Sequence, residues 1–163
     1  MVENDMRQSI VAWLDDHGCE AAHECWVHGG YCDVIGFKFA PRLGRPIPKL
    51  LQNVAVELKM SNVRQVIRQA SQNKRGANAS YAAMPIDRCK KMRDSTRQKF
   101  IANGVGLLSV HGEQVNIEIS AAWINDGREQ CRKKTWWRWH LRNERKKKSL
   151  LPLLAWAVKC GAT

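Results

Sequence analysis

The sequence predicts a small α/β domain whose elements run αβββαβ, followed by a basic helical extension. Three observations lead there. Apolar residues recur at helical spacing over 2–17 and again over 62–75, three extended runs lie between those helices, and a hairpin pattern follows near residue 110. With 163 residues, 44% hydrophobic and 26% charged, the chain suits one domain with a true core. The natural division is a core of residues 1–125 and an extension of residues 126–163.

Each element has its own signal. In residues 2–17, Met6, Ile10, Trp13 and Leu14 make an apolar stripe, and His17-Gly18 is the stop. Residues 20–28 turn extended, Gly29-Gly30 makes a turn, and Tyr31–Phe39 is a second strand. Pro41, Gly44, Pro46 and Pro48 mark a loop that also carries Arg42, Arg45 and Lys49. A third strand covers Asn53–Met60. Residues 62–75 form the best helix, with Val63, Val66, Ile67 and Ala70 on one stripe. Residues 86–102 read as a basic helix ending at Asn103-Gly104. Val105–Val110 and Val115–Ile119 form a hairpin around His111-Gly112. The tail returns to helix through Lys148, and Leu150–Val158 is apolar enough to pack back on the body.

Several classes are excluded early. No apolar stretch approaches the ~20 residues of a membrane span. The acidic start, Met1 to Asp5, has no signal-peptide core. An intracellular, cytoplasmic protein is expected, so the six cysteines are read as reduced thiols. Cys19, His23, Cys25, His28 and Cys32 crowd together, yet their spacing matches no common zinc knuckle. Small buried residues on strands explain the cysteines more simply.

Charge is unevenly placed. The net charge is +12, but residues 1–40 carry seven acids against two bases. Residues 41–127 contribute +8, residues 128–148 another +8, and Lys159 the remainder. Clustered cations favour a polyanion, of which nucleic-acid phosphate is the commonest.

Within the second and third strands lie residues suited to chemistry. Asp33 is an acid inside the apolar run Cys32-Asp33-Val34-Ile35-Gly36-Phe37. In Val54-Ala55-Val56-Glu57-Leu58-Lys59-Met60 the side chains alternate, so Val54, Val56, Leu58 and Met60 face one way and Glu57 and Lys59 the other. If Asp33 lies level on the neighbouring strand, two carboxylates and a lysine converge. Two hard oxygen donors suit Mg²⁺ with positions left for water and phosphate. A solvated Glu-x-Lys ion pair is the plain alternative.

Asp33 and Glu57-Leu58-Lys59, followed by Val63-Arg64-Gln65-Val66-Ile67-Arg68-Gln69-Ala70, resemble the PD-(D/E)xK nuclease superfamily over residues 2–120. Tyr81 stands where an aromatic companion is frequent, and Cys32 stands where the name's proline would be, a position many members vary. The resemblance implies a restriction-endonuclease-like fold, a mixed sheet in an αβββαβ core. It implies Asp33 and Glu57 as metal ligands, Lys59 as catalytic lysine and Gln69 as an auxiliary polar residue of the helix. Asn62 and Asn73 share a border of that helix with Gln69, while Arg64, Arg68 and Arg75 lie beyond the other border. Some members add a glutamate, for which Glu3 and Glu24 are the candidates.

The resemblance therefore implies a Mg²⁺-dependent DNA endonuclease, with Mn²⁺ expected to substitute, no small-molecule cofactor and no membrane partner. A stand-alone enzyme of phage, mobile-element or repair type, often dimeric, fits this reading. The expected nucleic-acid contacts are Arg64, Arg68, Arg138, Arg142, Arg145, Lys146, Lys147 and Lys148. Trp136, Trp137 and Trp139 are shared between base stacking and anchoring the tail. Two alternatives keep the same residues: a catalytically silent nucleic-acid-binding or regulatory module, and a junction-specific nuclease or ribonuclease.

Overall fold

Met6, Ile10 and Leu14 recur at one-turn spacing, and all three are buried on helix α1 (Glu3–Asp16). Asp5 accepts a hydrogen bond from the Val2 N–H at 2.9 Å, and with Glu3 it places negative charge in the first turn, where the helix dipole favours it. This is the first element of a computed structural model that describes residues 2–27, 30–40, 49–125, 132–136 and 138–143.

Strands β1 (Glu20–Val27), β2 (Gly30–Phe39) and β3 (Leu50–Leu58) form an antiparallel meander. Helix α2 (Val63–Asn73) then crosses to β4 (Ala79–Pro85), which pairs parallel with β3. Two short helices, α3 (Ile86–Lys90) and α4 (Asp94–Ala102), lead to β5 (Gly106–His111), parallel with β4. A hairpin returns antiparallel as β6 (Gln114–Ile119). The result is a mixed six-stranded sheet in sequence order.

Helices cover both faces of the sheet. Met6, Ile10 and Leu14 of α1 pack on Val34, Val56, Leu58, Ala83 and Leu108. Gly36 permits this approach: a Cβ there would lie 2.7 Å from Leu14 Cδ2. On the other face, Val66, Ile67 and Ala70 of α2 pack on Ala82, Met84 and Leu107, with Cys89 and Phe100 from α3 and α4. The β1–β2 half of that face (Ala22, Cys25, Val27, Ile35 and Phe37) is covered by Trp136 and Trp139. Both tryptophans belong to a tail helix seen in residues 132–136 and 138–143.

Several expectations change. β3 begins at Leu50 and ends at Leu58, so Lys59 and Met60 follow the strand, although the Lys59 N–H still donates to the Ala83 carbonyl. The single helix expected over 86–102 is two, separated at Lys91–Arg93. β4, where no strand was assigned, is rich in alanine and lacks a β-branched residue. As a central parallel strand it is buried by its neighbours rather than marked by propensity. The turn at 28–29, the loop at 41–48 and the segment Leu150–Val158 lie outside the described residues.

Two asparagines close the end of β3 where the strand begins. The Asn53 N–H donates to Asn78 Oδ1 at 3.0 Å, and the Asn78 N–H donates to Asn53 Oδ1 at 3.1 Å. Asn78 Nδ2 donates to the Ile124 carbonyl, so the segment after β6 is tied to the start of β4. Cys19, Cys25, Cys32 and Cys89 are buried free thiols, and burial raises Cys25 to about 12 and Cys89 to about 11. Cys131 and Cys160 lie outside the described residues. Among the described residues, no helix is long and apolar enough to cross a membrane.

Candidate functional site

The pairing Val34↔Val56 fixes the register of β2 on β3 and sets Asp33 level with Glu57. The condition left open by the sequence is thereby met. Asp33 is partly exposed, and its Oδ2 accepts the Leu58 N–H at 2.8 Å. The same oxygen lies 4.0 Å from Lys59 Nζ, so one carboxylate receives both the strand backbone and the lysine charge. Val56 and Leu58 are in the α1 core, which leaves Glu57 on the opposite face, as the alternation requires.

Glu57 is 1% exposed. Its Oε1 accepts a hydrogen bond from Asn73 Nδ2 of α2 at 2.6 Å, while among the described residues its Oε2 has no hydrogen-bond partner. Burial raises the Glu57 carboxyl from 4.5 to about 8. The Asp33 charge pushes the same way, against the Asn73 bond and the Lys59 charge. At neutral pH and without a cation, burial therefore favours the protonated form of Glu57.

Gln69 lies one turn before Asn73 on the same side of α2. Among the described residues, its Oε1 is buried without a partner. Gln69 is the amide that the sequence singles out, with Asn73 a companion on the same helix border. The spacing of four residues was the available signal, because it places both amides on one helix border.

The remaining candidates separate. Glu24 falls between the pairs His23↔Val34 and Cys25↔Cys32, level with Asp33 across β1 and β2. It adopts φ +47°, uncommon for a residue with a Cβ, and both His23 and Glu24 are exposed, breaking the strand's alternation. Its side chain is 66% exposed and lies 4.0 Å from Arg7 Nη1 of α1. Glu3 sits in the first turn of α1 and is not bonded to Asp33 or Glu57 among the described residues. Tyr81 is level with Val56, packs in the α1 core and meets Trp13 edge-on, on the face away from Glu57.

The basic candidates also differ in their surroundings. Arg64 and Arg68 are exposed on α2. Arg138 stacks over Trp26, 4.0 Å from the ring centre, and Arg142 Nη1 donates to the Glu24 carbonyl at 3.3 Å. Trp136 is buried, and Trp139 packs on Phe37. Arg145, Lys146, Lys147, Lys148 and the Trp137 side chain lie outside the described residues.

Metal fit rests on two carboxyls and one orphaned oxygen. Among the described residues, no group of three or more His, Cys, Asp or Glu is placed to hold a metal ion. Asp33 with the unpartnered Oε2 of Glu57 nevertheless suits Mg²⁺, which is commonly held by one or two carboxylates plus water and substrate phosphate.

No family model matches the chain, and no curated protein matches it. Among solved structures, a protein of unknown function from Silicibacter pomeroyi is similar, with a TM-score of 0.64 at 15% identity. The match covers 92% of this chain and 91% of that one, and at this identity the likeness concerns the fold alone.

Proposed function

We propose that the protein is a Mg²⁺-dependent endonuclease that hydrolyses DNA phosphodiester bonds on a restriction-endonuclease-like core. The observation that carries this reading is the level pair Asp33 and Glu57, with a buried, unpartnered carboxylate oxygen and Lys59 at its rim. An acid buried to 1% exposure without a full set of partners is costly, and a cation would complete it.

Asp33 and Glu57 would hold the metal. When bound, Mg²⁺ supplies an acidified water and neutralises charge on the scissile phosphate. The chain's own residues do the rest. Asn73 Nδ2 fixes Glu57 Oε1, which leaves Oε2 as the free donor. The Leu58 N–H fixes Asp33 Oδ2 in the same way. The proton that burial favours on Glu57 would leave when its carboxylate takes the cation. Lys59 Nζ, held near Asp33, is a cationic donor for the attacking water or the charge that develops on phosphate oxygen.

The test is incubation with linear duplex, single-stranded and branched DNA and with RNA, in Mg²⁺ and then in EDTA. DNA cleavage is expected in Mg²⁺ only. Lys59→Ala is expected to slow it by at least ~100-fold, the usual scale for losing one transition-state donor, with duplex affinity retained. Cleavage that persists in EDTA, or that continues at the wild-type rate in Lys59→Ala, overturns the mechanism. Binding without cleavage of any substrate favours the silent binding module, and preferential cutting of branched DNA or RNA favours the other alternative.

A further inference from the structure

Most cations near the sheet already have partners. Arg7 pairs with Glu24, Lys59 with Asp33 and Arg97 with Glu118, while Arg138 and Arg142 lie against β1. Five others differ. Arg64, Arg88, Lys91, Arg93 and Lys99 are all exposed, and their side chains make no hydrogen bond or ion pair among the described residues. All five line one groove of about 440 Å³ between α2 on one side and α3 with α4 on the other.

Among the described residues, no acid lines this groove. Val63, the first residue of α2, and Arg93 and Thr96 at the start of α4 border it, so the positive ends of two helix dipoles lie beside the side-chain cations. Ser61 is also on its wall, two residues beyond Lys59. Two residues of chain span at most about 7 Å, so the groove begins close to the Lys59 backbone. Buried Glu57 and partly exposed Asp33 disfavour a polyanion, and the row of exposed cations that starts past Lys59 supplies the compensating attraction.

We infer that this groove is the track for the phosphodiester backbone of duplex DNA, and that its five cations, more than Arg138 and Arg142, carry backbone binding. The choice of DNA as the polyanion rests on the nuclease reading. A lipid surface fits less well, because none of the large exposed hydrophobic residues lines the groove for insertion.

The experiment measures anisotropy of a short fluorescent duplex across a salt series, in EDTA so that nothing is cut. Arg88→Ala/Lys91→Ala/Arg93→Ala is expected to flatten the slope of log affinity against log salt by about 2–3, at ~0.9 per phosphate contact. Arg64→Ala/Lys99→Ala, on other elements, is expected to flatten it by about 2 on the same scale. Arg75→Ala/Lys90→Ala removes two exposed cations outside the groove and is expected to leave the slope unchanged. Equal flattening by this control, or no flattening by either groove variant, overturns the inference. So does groove-dependent binding to phosphatidylserine–phosphatidylcholine vesicles or to polyglutamate in place of duplex. Groove-dependent duplex binding without cleavage in Mg²⁺ supports the groove and retires the nuclease reading. Cleavage by the wild type with unaltered groove variants does the reverse.

Discussion

Replacing Glu57 by glutamine should make the metal-free protein more stable at alkaline pH, because the wild-type fold discourages ionisation at that position. The Glu57 carboxyl is raised from 4.5 to about 8 by burial first and by Asp33 second. Folding therefore tightens its hold on the proton. The associated stability is complete below pH 4.5 and is lost as pH rises towards about 8, after which no more is lost. At ~1.4 kcal/mol per unit, the loss is on the order of 3–5 kcal/mol. Glutamine has no proton to lose. Its carbonyl can still accept from Asn73 Nδ2, and its amide can donate towards Asp33. Urea unfolding in EDTA at several pH values, for wild type and Glu57→Gln, measures the effect. Taking the difference between the two proteins removes most titrations common to both. The curves should converge near pH 4.5 and separate in favour of the variant by pH 8. Adding Mg²⁺ should then stabilise only the wild type. Parallel stability curves would refute the argument, since they would mean that Glu57 ionises in the fold as easily as in the unfolded chain.

Three further perturbations test the surrounding structure. Asn73→Ala should cost ~1–3 kcal/mol, and more at pH 8 than at pH 5, because the lost bond favours the ionised form of Glu57; chemical unfolding at the two pH values measures this. Gly36→Ala should cost ~1–3 kcal/mol in urea unfolding, since its Cβ would meet Leu14 Cδ2 at 2.7 Å and Cys19 Cβ at 3.0 Å. Trp136→Ala should cost ~3–5 kcal/mol and speed proteolysis of the tail helix, whose buried anchor it removes.

The parts of this molecule legible in sequence are those whose causes are local. The stripes of α1 and α2 and the alternation through Glu57 follow from one element's own period, and each is found in the sheet and its helices. β4 escaped because Ala79, Ala82 and Ala83 owe their strand conformation to β3 and β5 on either side. The break at Met92-Arg93 escaped because the surrounding residues continue a plausible helical pattern. At the site, Asp33 and Glu57 were identifiable as chemical types, but their alignment is a matter of inter-strand register. Asn73 was visible only as a polar border, because its hydrogen bond crosses from a helix to a strand sixteen residues earlier. Arg138 and Arg142 looked free in a basic run, yet their partners Trp26 and Glu24 are more than a hundred residues away.

The covering of β1 and β2 by the tail helix has a consequence for how the protein is made. Synthesis proceeds from the N-terminus, so Ile35 and Phe37 emerge long before Trp136 and Trp139 exist to shield them. Until then the nascent chain carries an apolar sheet face ending in the unpaired edge of β1, a combination prone to association. Completion of this half of the core is thus deferred until the tail helix has been made. A chain stopped at residue 125 would keep α1, α2 and the carboxyl pair but would remain in that unshielded state, with poor solubility as its visible defect.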